Sequence, residues 1–379
     1  MKLADVCKIK YGKDHKKLGD GNIPVYGSGG IMRYVNKSLY DGPSILIPRK
    51  GTLGNLFFIN KPFWTVDTLF WTVINAKIAV PKYVFYLLKT KNIANLNVGT
   101  AVPSLTAGIL NEIEIDLPPL ETQKQVVGIL EAIDLKIASN TRINGYLGEL
   151  VDVLFKREFL ESIDKSWIGA TLLDIANYRN GLAMQKFRPE GDDLGLPVLK
   201  IRELSQGRCA ADAERCRSDI DESVHVYDGD LIFSWSGTLL LDFWAGGDAG
   251  LNQHLFKVTS DKYDPWFYYL WTKYHMHKFV ALAKDRATTM GHIKRSALAD
   301  SRVFVPNTNR MRELKAIFEP LVDQTISVKV ESRKLEELRD ALLPKLISGE
   351  VDVSNVSLER LNSHLYGQER VGDQTQHRE

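Results

Sequence analysis

Apolar residues fall along this chain in two regimes. Short runs at 44–47, 56–59 and 231–233, rich in β-branched and aromatic residues and bounded by Gly, Pro, Asn and Asp, predict strands. Helical patches follow at 81–88 and 265–277. Two far longer segments then place apolar residues at steps of three and four: Val126, Leu130, Ile133, Ile137, Leu147, Leu150 and Leu154 within 121–159, and Leu314, Phe318, Leu321, Val328, Leu335, Leu338 and Leu342 within 309–348. Each reads as one helix with a single apolar seam, and at 1.5 Å per residue the first would span roughly 58 Å. Pro320 is expected to start, kink or split the second. Polar residues interrupt both seams, Asn140 and Asn144 in one and Thr325 and Ser332 in the other. Such interruptions cost stability but fix register between two packed helices; the alternative is that they mark solvent-exposed turns.

The pattern occurs twice. The segment 45–73 is echoed by 231–258, and Gly51-Thr52 matches Gly237-Thr238 at a spacing of 186. Leu3-Ala4-Asp5-Val6 with Gly12 matches Leu172-Leu173-Asp174-Ile175 with Gly181 at a spacing of 169, so the second copy is about 17 residues longer before its Gly-Thr. From Pro118 and Pro306 onward the spacing settles at 188, and Leu147, Leu150, Leu154 and Phe159 meet Leu335, Leu338, Leu342 and Ile347 without a gap. The expected fold class is α+β: two mixed α/β modules joined by two long helices packed as an antiparallel coiled coil, a pseudo-twofold internal repeat. The polar stretch from Asn355 to Glu379 is expected to be poorly ordered, with a short helix near 357–365.

Composition changes this picture little. The chain has 379 residues, 44% hydrophobic and 25% charged, which suits two to three soluble domains and excludes disorder for most of its length. No run approaches the roughly 18 apolar residues of a membrane span, and Met1 leads into a folded-looking segment without a signal-peptide core, so a cytoplasmic protein is expected. Cys7, Cys209 and Cys216 read as reduced structural thiols. The net charge of +2 is unevenly spread: residues 1–117 hold 15 Lys and Arg against 8 Asp and Glu, whereas 160–308 hold 18 against 20. Only the first module is plainly basic.

Catalytic chemistry is sparse. Gly27-Ser28-Gly29-Gly30 lacks the Lys and following helix of a phosphate-binding loop, and Leu117-Pro118-Pro119-Leu120 lacks the polar residue of an amino-methyltransferase motif. His275 and His277 have no carboxylate or thiolate nearby in sequence, and no hydrolytic triad can be assembled. No catalytic or metal-binding residue is assigned. Two copies of a binding module suit an extended target such as DNA, whose major groove recurs on one face about every 34 Å. The candidate DNA-binding residues in the first module are Tyr26, Ser28, Arg33, Arg49, Lys50, Thr52, Thr100 and Ser104. In the second they are Arg179, Lys186, Arg188, Lys200, Arg202, Ser234, Ser236, Thr238, Lys284, Arg286, Lys294 and Arg295. Arg and Lys supply charge and bidentate donors to guanine, Ser and Thr short polar contacts, and Gly close approach to phosphate. Trp64, Phe70, Trp71 and Phe256 read as core.

The duplicated Gly-Thr strand-loop, the Leu-Pro-Pro-Leu-Glu-Thr-Gln-Lys-Gln lead into a helix, and the closing Leu342-Leu343-Pro344-Lys345-Leu346-Ile347-Ser348-Gly349-Glu350 together resemble the specificity subunit of type I restriction-modification systems over about residues 1–352. The resemblance implies target recognition domains at 1–117 and 160–308, conserved spacer helices at 118–159 and 309–352, and a polar tail at 353–379. It implies reading of a bipartite asymmetric site in double-stranded DNA and no catalytic step in this chain. Two DNA methyltransferase (modification) subunits, docked through residues such as Gln123, Gln125, Arg310 and Lys315, would bring S-adenosylmethionine and methylate adenine. Restriction subunits would add ATP- and magnesium-dependent translocation and cleavage. The rival expectation is a scaffold whose modules bind proteins and whose helices dimerise.

Overall fold

The computed structural model describes residues 1–99, 102–284 and 292–366, and the side chains of 362, 364 and 366 are not among those described. The chain divides into two compact units, 1–136 with 336–379, and 137–335.

The first unit begins with α1 (Leu3–Val6), whose Asp5 carboxylate accepts the Lys2 backbone N–H, and runs directly into β1 (Cys7–Tyr11). β2 (Ile23–Gly27) and β3 (Gly30–Val35) form a hairpin. β4 (Ser44–Pro48), β5 (Phe57–Ile59), β6 (Trp64–Thr65) and β7 (Leu69–Ile74) follow, then α2 (Pro81–Thr90), a short α3 (Ala107–Asn111) and the start of α4 (Leu120–Phe155). One antiparallel sheet has the order β1-β7-β4-β5; a second, β3-β2-β6, contains a parallel β2/β6 pair. β4 is buried along its whole length, so its polar Ser44 needs a partner. It donates to Thr72 O at 2.7 Å and accepts the Thr72 N–H at 3.0 Å. The apolar faces of β4, β7 and α2 close over a core completed by Val126, Leu130 and, from the C-terminal part of the chain, Leu346 and Val353.

The second unit repeats the plan. β8 (Ile168–Thr171), α5 (Leu172–Ile175, with Asp174 as the counterpart of Asp5), β9 (Asn177–Asn180), β10 (Leu196–Leu199), α6 (Ile201–Gln206), β11 (Arg215–Cys216), β12 (His225–Val226) and β13 (Leu231–Ser234) come first. β14 (Leu241–Phe243), β15 (Ala249–Leu251), β16 (Leu255–Thr259), α7 (Pro265–Lys284), α8 (Arg295–Ala299), β17 (Arg302–Val305) and α9 (Thr308–Ser348) complete it. Its main sheet, β9-β16-β13-β14, has the same order and pairing as β1-β7-β4-β5, and β10/β15 reproduces the parallel β2/β6 pair. Most of the extra length of this copy lies between β10 and β11, where α6 and the loop after it replace the two-residue turn between β2 and β3.

Gly12 and Gly181 hold one position in both copies. A Cβ there would stand 2.0 Å from Val66 O in the first unit and 2.2 Å from Leu251 O in the second, so only glycine lets the end of the first sheet strand cross β6 or β15.

α4 and α9 are shared, each giving one part to each unit. In the first unit Arg339 Nη1 lies 3.0 Å from Asp134 Oδ1; in the second, Asn140 Nδ2 donates to Glu331 Oε2 at 2.8 Å, and Phe155 packs in the cluster that holds Leu314 and Phe318. Residue numbers rise along one helix as they fall along the other, so both halves pair antiparallel.

Several expectations change here. α9 is continuous through Pro320, which is exposed, as is Pro344. The lost N–H bond and the ring then fall on the solvent side, where packing is not broken. Thr325 and Ser332 bond back to Leu321 O and Val328 O of their own helix. Leu150 and Leu338, equivalent seam positions in the two copies, are 44% and 47% exposed and lie outside the seam. The tail is not separate from the first unit: Val353 is buried, and Leu358 and Leu361 of α10 (Leu358–Tyr366) pack on its core. Residues 367–379 lie outside the described residues.

Candidate nucleic-acid interface

Each repeated Gly-Thr is the turn that follows a central sheet strand. Gly51 has φ +87° and Gly237 φ +64°, left-handed values that disfavour any side chain. Two backbone hydrogen bonds and one bridge beside the turns recur in both copies. In the first unit Arg49 N donates to Thr68 O at 2.8 Å, Leu105 N donates to Arg49 O at 2.9 Å, and Lys50 bridges to Ser104. In the second, Trp235 N donates to His254 O at 3.4 Å, Ile293 N to Trp235 O at 3.0 Å, and Ser236 bridges to His292.

In the first unit the turn presents Lys50 and Thr52 to solvent. The Arg49 guanidinium lies 5.5 Å from the Tyr11 ring centroid, and its Nη1 donates to Asp67 O at 3.2 Å. Half-buried Ser28 sits in the β2–β3 turn and is tied to the Gly51 turn through Asn55, whose amide donates to Ser28 O at 3.0 Å. A hollow of about 750 Å³ opens between the 14–16 loop, the 27–32 hairpin and the 66–68 turn. Ile31, Met32 and Tyr34 are exposed on that hairpin. Tyr26 packs on Phe57, and burial raises the pKa of its phenol. Arg33 is held by Asp20 at 3.0 Å and Leu18 O at 3.1 Å. Ser104 is half-buried with its N–H on Asn97 Oδ1 at 2.8 Å. Arg49, Lys50, Thr52, Ser28 and Ser104 are thus gathered at one turn, Arg33 is committed elsewhere, and Thr100 lies outside the described residues.

The second unit is more self-neutralised. Arg188 (2.6 Å) and Lys200 share the Glu214 carboxylate, which lowers the pKa of Glu214, chiefly through the Lys200 hydrogen bond. Arg202 pairs with Glu203 at 2.8 Å. Ser234 is fully buried, its hydroxyl donating to Thr238 O at 2.8 Å and Ser236 O at 3.1 Å, so it shapes the turn from inside. Ser236 is also buried, with its hydroxyl 3.1 Å from His254 Nδ1. Arg179, Lys186, Thr238, Lys284, Lys294 and Arg295 are exposed, the last two opening α8; Arg286 lies outside the described residues.

The residues expected to dock a partner are mostly committed within their own unit. Gln123 is fully buried: its Oε1 accepts the Val80 N–H at 2.8 Å, and its Nε2 donates to Pro118 O at 2.8 Å and Ile78 O at 3.2 Å, which fastens α2 to the start of α4. Arg310 is paired with Glu158 and, at 2.7 Å, Glu313; Lys315 pairs with Asp264 at 2.9 Å and Glu319 at 3.2 Å. Gln125 is half-buried with Oε1 out of contact with solvent. Sequence reasoning passed over a different surface on α4, where Ile143, Tyr146, Leu150 and Val153 are exposed at steps of three and four. It also passed over Tyr11, Gln253 and His254 beside the turns, while Trp235 lay within the 234–238 stretch taken as a candidate; the local spacing of 186 could have paired Gln253 and His254 with Asp67 and Thr68 of the first copy.

Burial pushes the Cys7 and Cys209 thiols up to about 12 and raises that of Cys216, consistent with structural thiols. His275 is buried and bonds to Arg302 O at 2.8 Å, whereas His277 faces out. Among the described residues no group of three His, Cys, Asp or Glu is placed to hold a metal ion, and no helix is long and apolar enough to cross a membrane.

One strand-turn frame built twice, with different side chains on its rim and with two shared antiparallel helices, defines a tandem-repeat α+β protein. Residues 1–147 match the family model described as the type I restriction modification DNA specificity domain. The type I restriction enzyme MjaIX specificity subunit of Methanocaldococcus jannaschii is 23% identical over 348 residues, 83% of this chain and 78% of that protein. The HindI specificity subunit of Haemophilus influenzae is 20% identical over 392 residues, 79% of this chain and 84% of that one. The S subunit of the type I restriction-modification system of M. genitalium shares the fold, with a TM-score of 0.61 at 16% identity over 91% of this chain and 95% of that one. The chain is thus similar along most of its length to type I restriction-modification specificity subunits, and its first 147 residues match their DNA specificity domain.

Proposed function

We infer that this chain reads a split sequence in double-stranded DNA, one half-site per unit, and positions modification subunits over it. The observation that carries this reading is the duplicated frame: backbone hydrogen bonds around Gly51 and Gly237 are preserved while the side chains on the rim differ. A common scaffold with exchanged rim residues is what two related readers of unlike sequences require. The antiparallel α4/α9 pair fixes the separation of the half-sites. Its exposed stripe of Ile143, Tyr146, Leu150 and Val153 is the surface on which a modification subunit docks, because exposed apolar side chains at those spacings on one helix suit burial by a partner. S-adenosylmethionine, ATP and magnesium act in the partner subunits, and the assembly works in the cytoplasm.

The test is DNA binding by the chain copurified with its modification subunit. Affinity should fall steeply with added salt and depend on a split motif. Sequence-independent binding would defeat the reading. Exchange of residues 1–117 for another recognition domain should alter one half of the methylated motif and leave the other intact.

A further inference from the structure

The two turns occupy one frame but carry opposite chemistry. Where the first unit has Arg49, Lys50, Asp67 and Thr68, the local spacing of 186 places Trp235, Ser236, Gln253 and His254 in the second. The correspondence is physical as well as numerical, since the Arg49–Thr68 and Leu105–Arg49 backbone bonds recur as Trp235–His254 and Ile293–Trp235. The first rim is cationic, with Arg49 steadied over Tyr11 and Lys50 exposed to solvent. Neither Lys nor Arg stands at the four matching positions of the second rim. There the exposed side chain is an amide, Gln253, with its amide nitrogen 3.5 Å from His254 Nε2. His254 is itself held from two sides: Ser236 Oγ lies 3.1 Å from Nδ1, and the Trp235 ring packs at 6.0 Å. With the Gln253 amide N–H donating to His254 Nε2, the ring carries its proton on Nδ1 and donates it to Ser236 Oγ, which leaves the second amide N–H and the carbonyl oxygen of Gln253 facing outward.

We propose that Gln253, positioned by Ser236 and His254, is a base-reading residue of the second unit and recognises adenine, while Arg49 in the first unit recognises guanine. An amide offers one donor and one acceptor side by side and matches adenine N7 and N6, whereas a guanidinium matches the two acceptors of guanine. The pairing accounts for the absence of a basic excess in the second unit, because amide reading needs no charge. It rests on the DNA-reading function proposed above.

The experiment selects bound duplexes from a randomised library, using the full chain with its modification subunit as wild type and as Gln253→Ala, Gln253→Glu and Arg49→Gln. Gln253→Ala should relax an adenine preference at one position of one half-site by roughly five- to a hundredfold, the worth of a bidentate contact. Gln253→Glu should move the preference there toward cytosine, whose amino group a carboxylate accepts. Arg49→Gln should alter a guanine position in the other half-site only. An unchanged motif in all three variants overturns the assignment, as does a uniform loss of affinity, which would make these side chains phosphate contacts. A wild-type complex with no sequence preference would instead overturn the DNA-reading function itself.

Discussion

His275 illustrates how a single buried side chain couples this protein to pH. It lies in the core of the second unit, bonded to Arg302 O at 2.8 Å and packed beside Trp271, and burial lowers its pKa below the usual 6.5, aided by Lys278 and His277. The folded form therefore holds a neutral ring, while the unfolded chain titrates near 6.5, so between the two values the unfolded state binds more protons. The stability held by the neutral ring is present above about pH 6.5 and is lost as pH falls through the folded value. The urea midpoint should drop between pH 7 and 5.5, and His275→Gln, which retains a donor toward Arg302 O, should flatten that drop; an equal slope in the variant would exclude His275 as the cause. Gly12 and Gly181 support a second prediction: Ala at either site drives a Cβ into a main-chain carbonyl. Each substitution should cost about 1 to 3 kcal/mol, the usual range for overpacking, in a denaturant titration. Both glycines were legible from the repeat, although the close crossing that requires them was not. Gln123 shows the opposite limit. A polar residue in a Gln-rich helix start reads as surface, and only the fold reveals that its amide spans Val80, Ile78 and Pro118.

Among the elements, strands and helices were readable where one period dominated, as in fully buried β4 and in α2 and α7, each of which begins at the proline that the pattern supplied. The long helices were readable in extent, but the sequence seam did not distinguish the face against the opposing helix from the face against solvent. Leu150 and Leu338 keep the spacing of three and four yet point outward. Asn140 was identified correctly as an interhelical polar residue: it is fully buried and bonded to Glu331, with its Oδ1 left without a partner. A buried polar layer of this kind weakens an apolar seam, and the role expected for it is to fix the register of the two helices. Asn140→Leu alone should destabilise, because it strips a hydrogen bond from a carboxylate beside the seam. The double replacement Asn140→Leu with Glu331→Leu should raise the melting temperature and loosen the gap length in the methylated motif. A double variant that melts lower, or one with an unchanged gap, would remove register control from this pair.

For the molecule as a whole, the spacing itself carries the argument. The offset between copies drifts from 169 to 188 through the modules and then holds constant through the helices, so sequence length varied within the modules and not along the helices. The fold explains the drift, since most of the added residues lie between β10 and β11, outside the main sheet of the second unit. The identity of the bases was not legible, because side chains on irregular turns are placed by three-dimensional neighbours, as Arg49 is by Tyr11 and His254 by Ser236. The constant part permits a quantitative expectation. Four residues inserted into each helix, one insertion beside Asn140 and one beside Glu331, would lengthen the pair by about 6 Å and rotate the far half of each helix by about 40° beyond a full turn, at 1.5 Å and 100° per residue. One base pair advances DNA by about 3.4 Å and roughly 35°, so the rotation matches a single added pair, and a second would leave the reading faces about 30° out of phase. The paired insertion should therefore widen the gap by one base pair with both half-sites unchanged, as read from methylated adenines in cells carrying the variant and its modification subunit. An insertion in α4 alone leaves the seam unmatched and should abolish methylation. A paired insertion that is fully active at the original gap would show that these helices do not measure the distance.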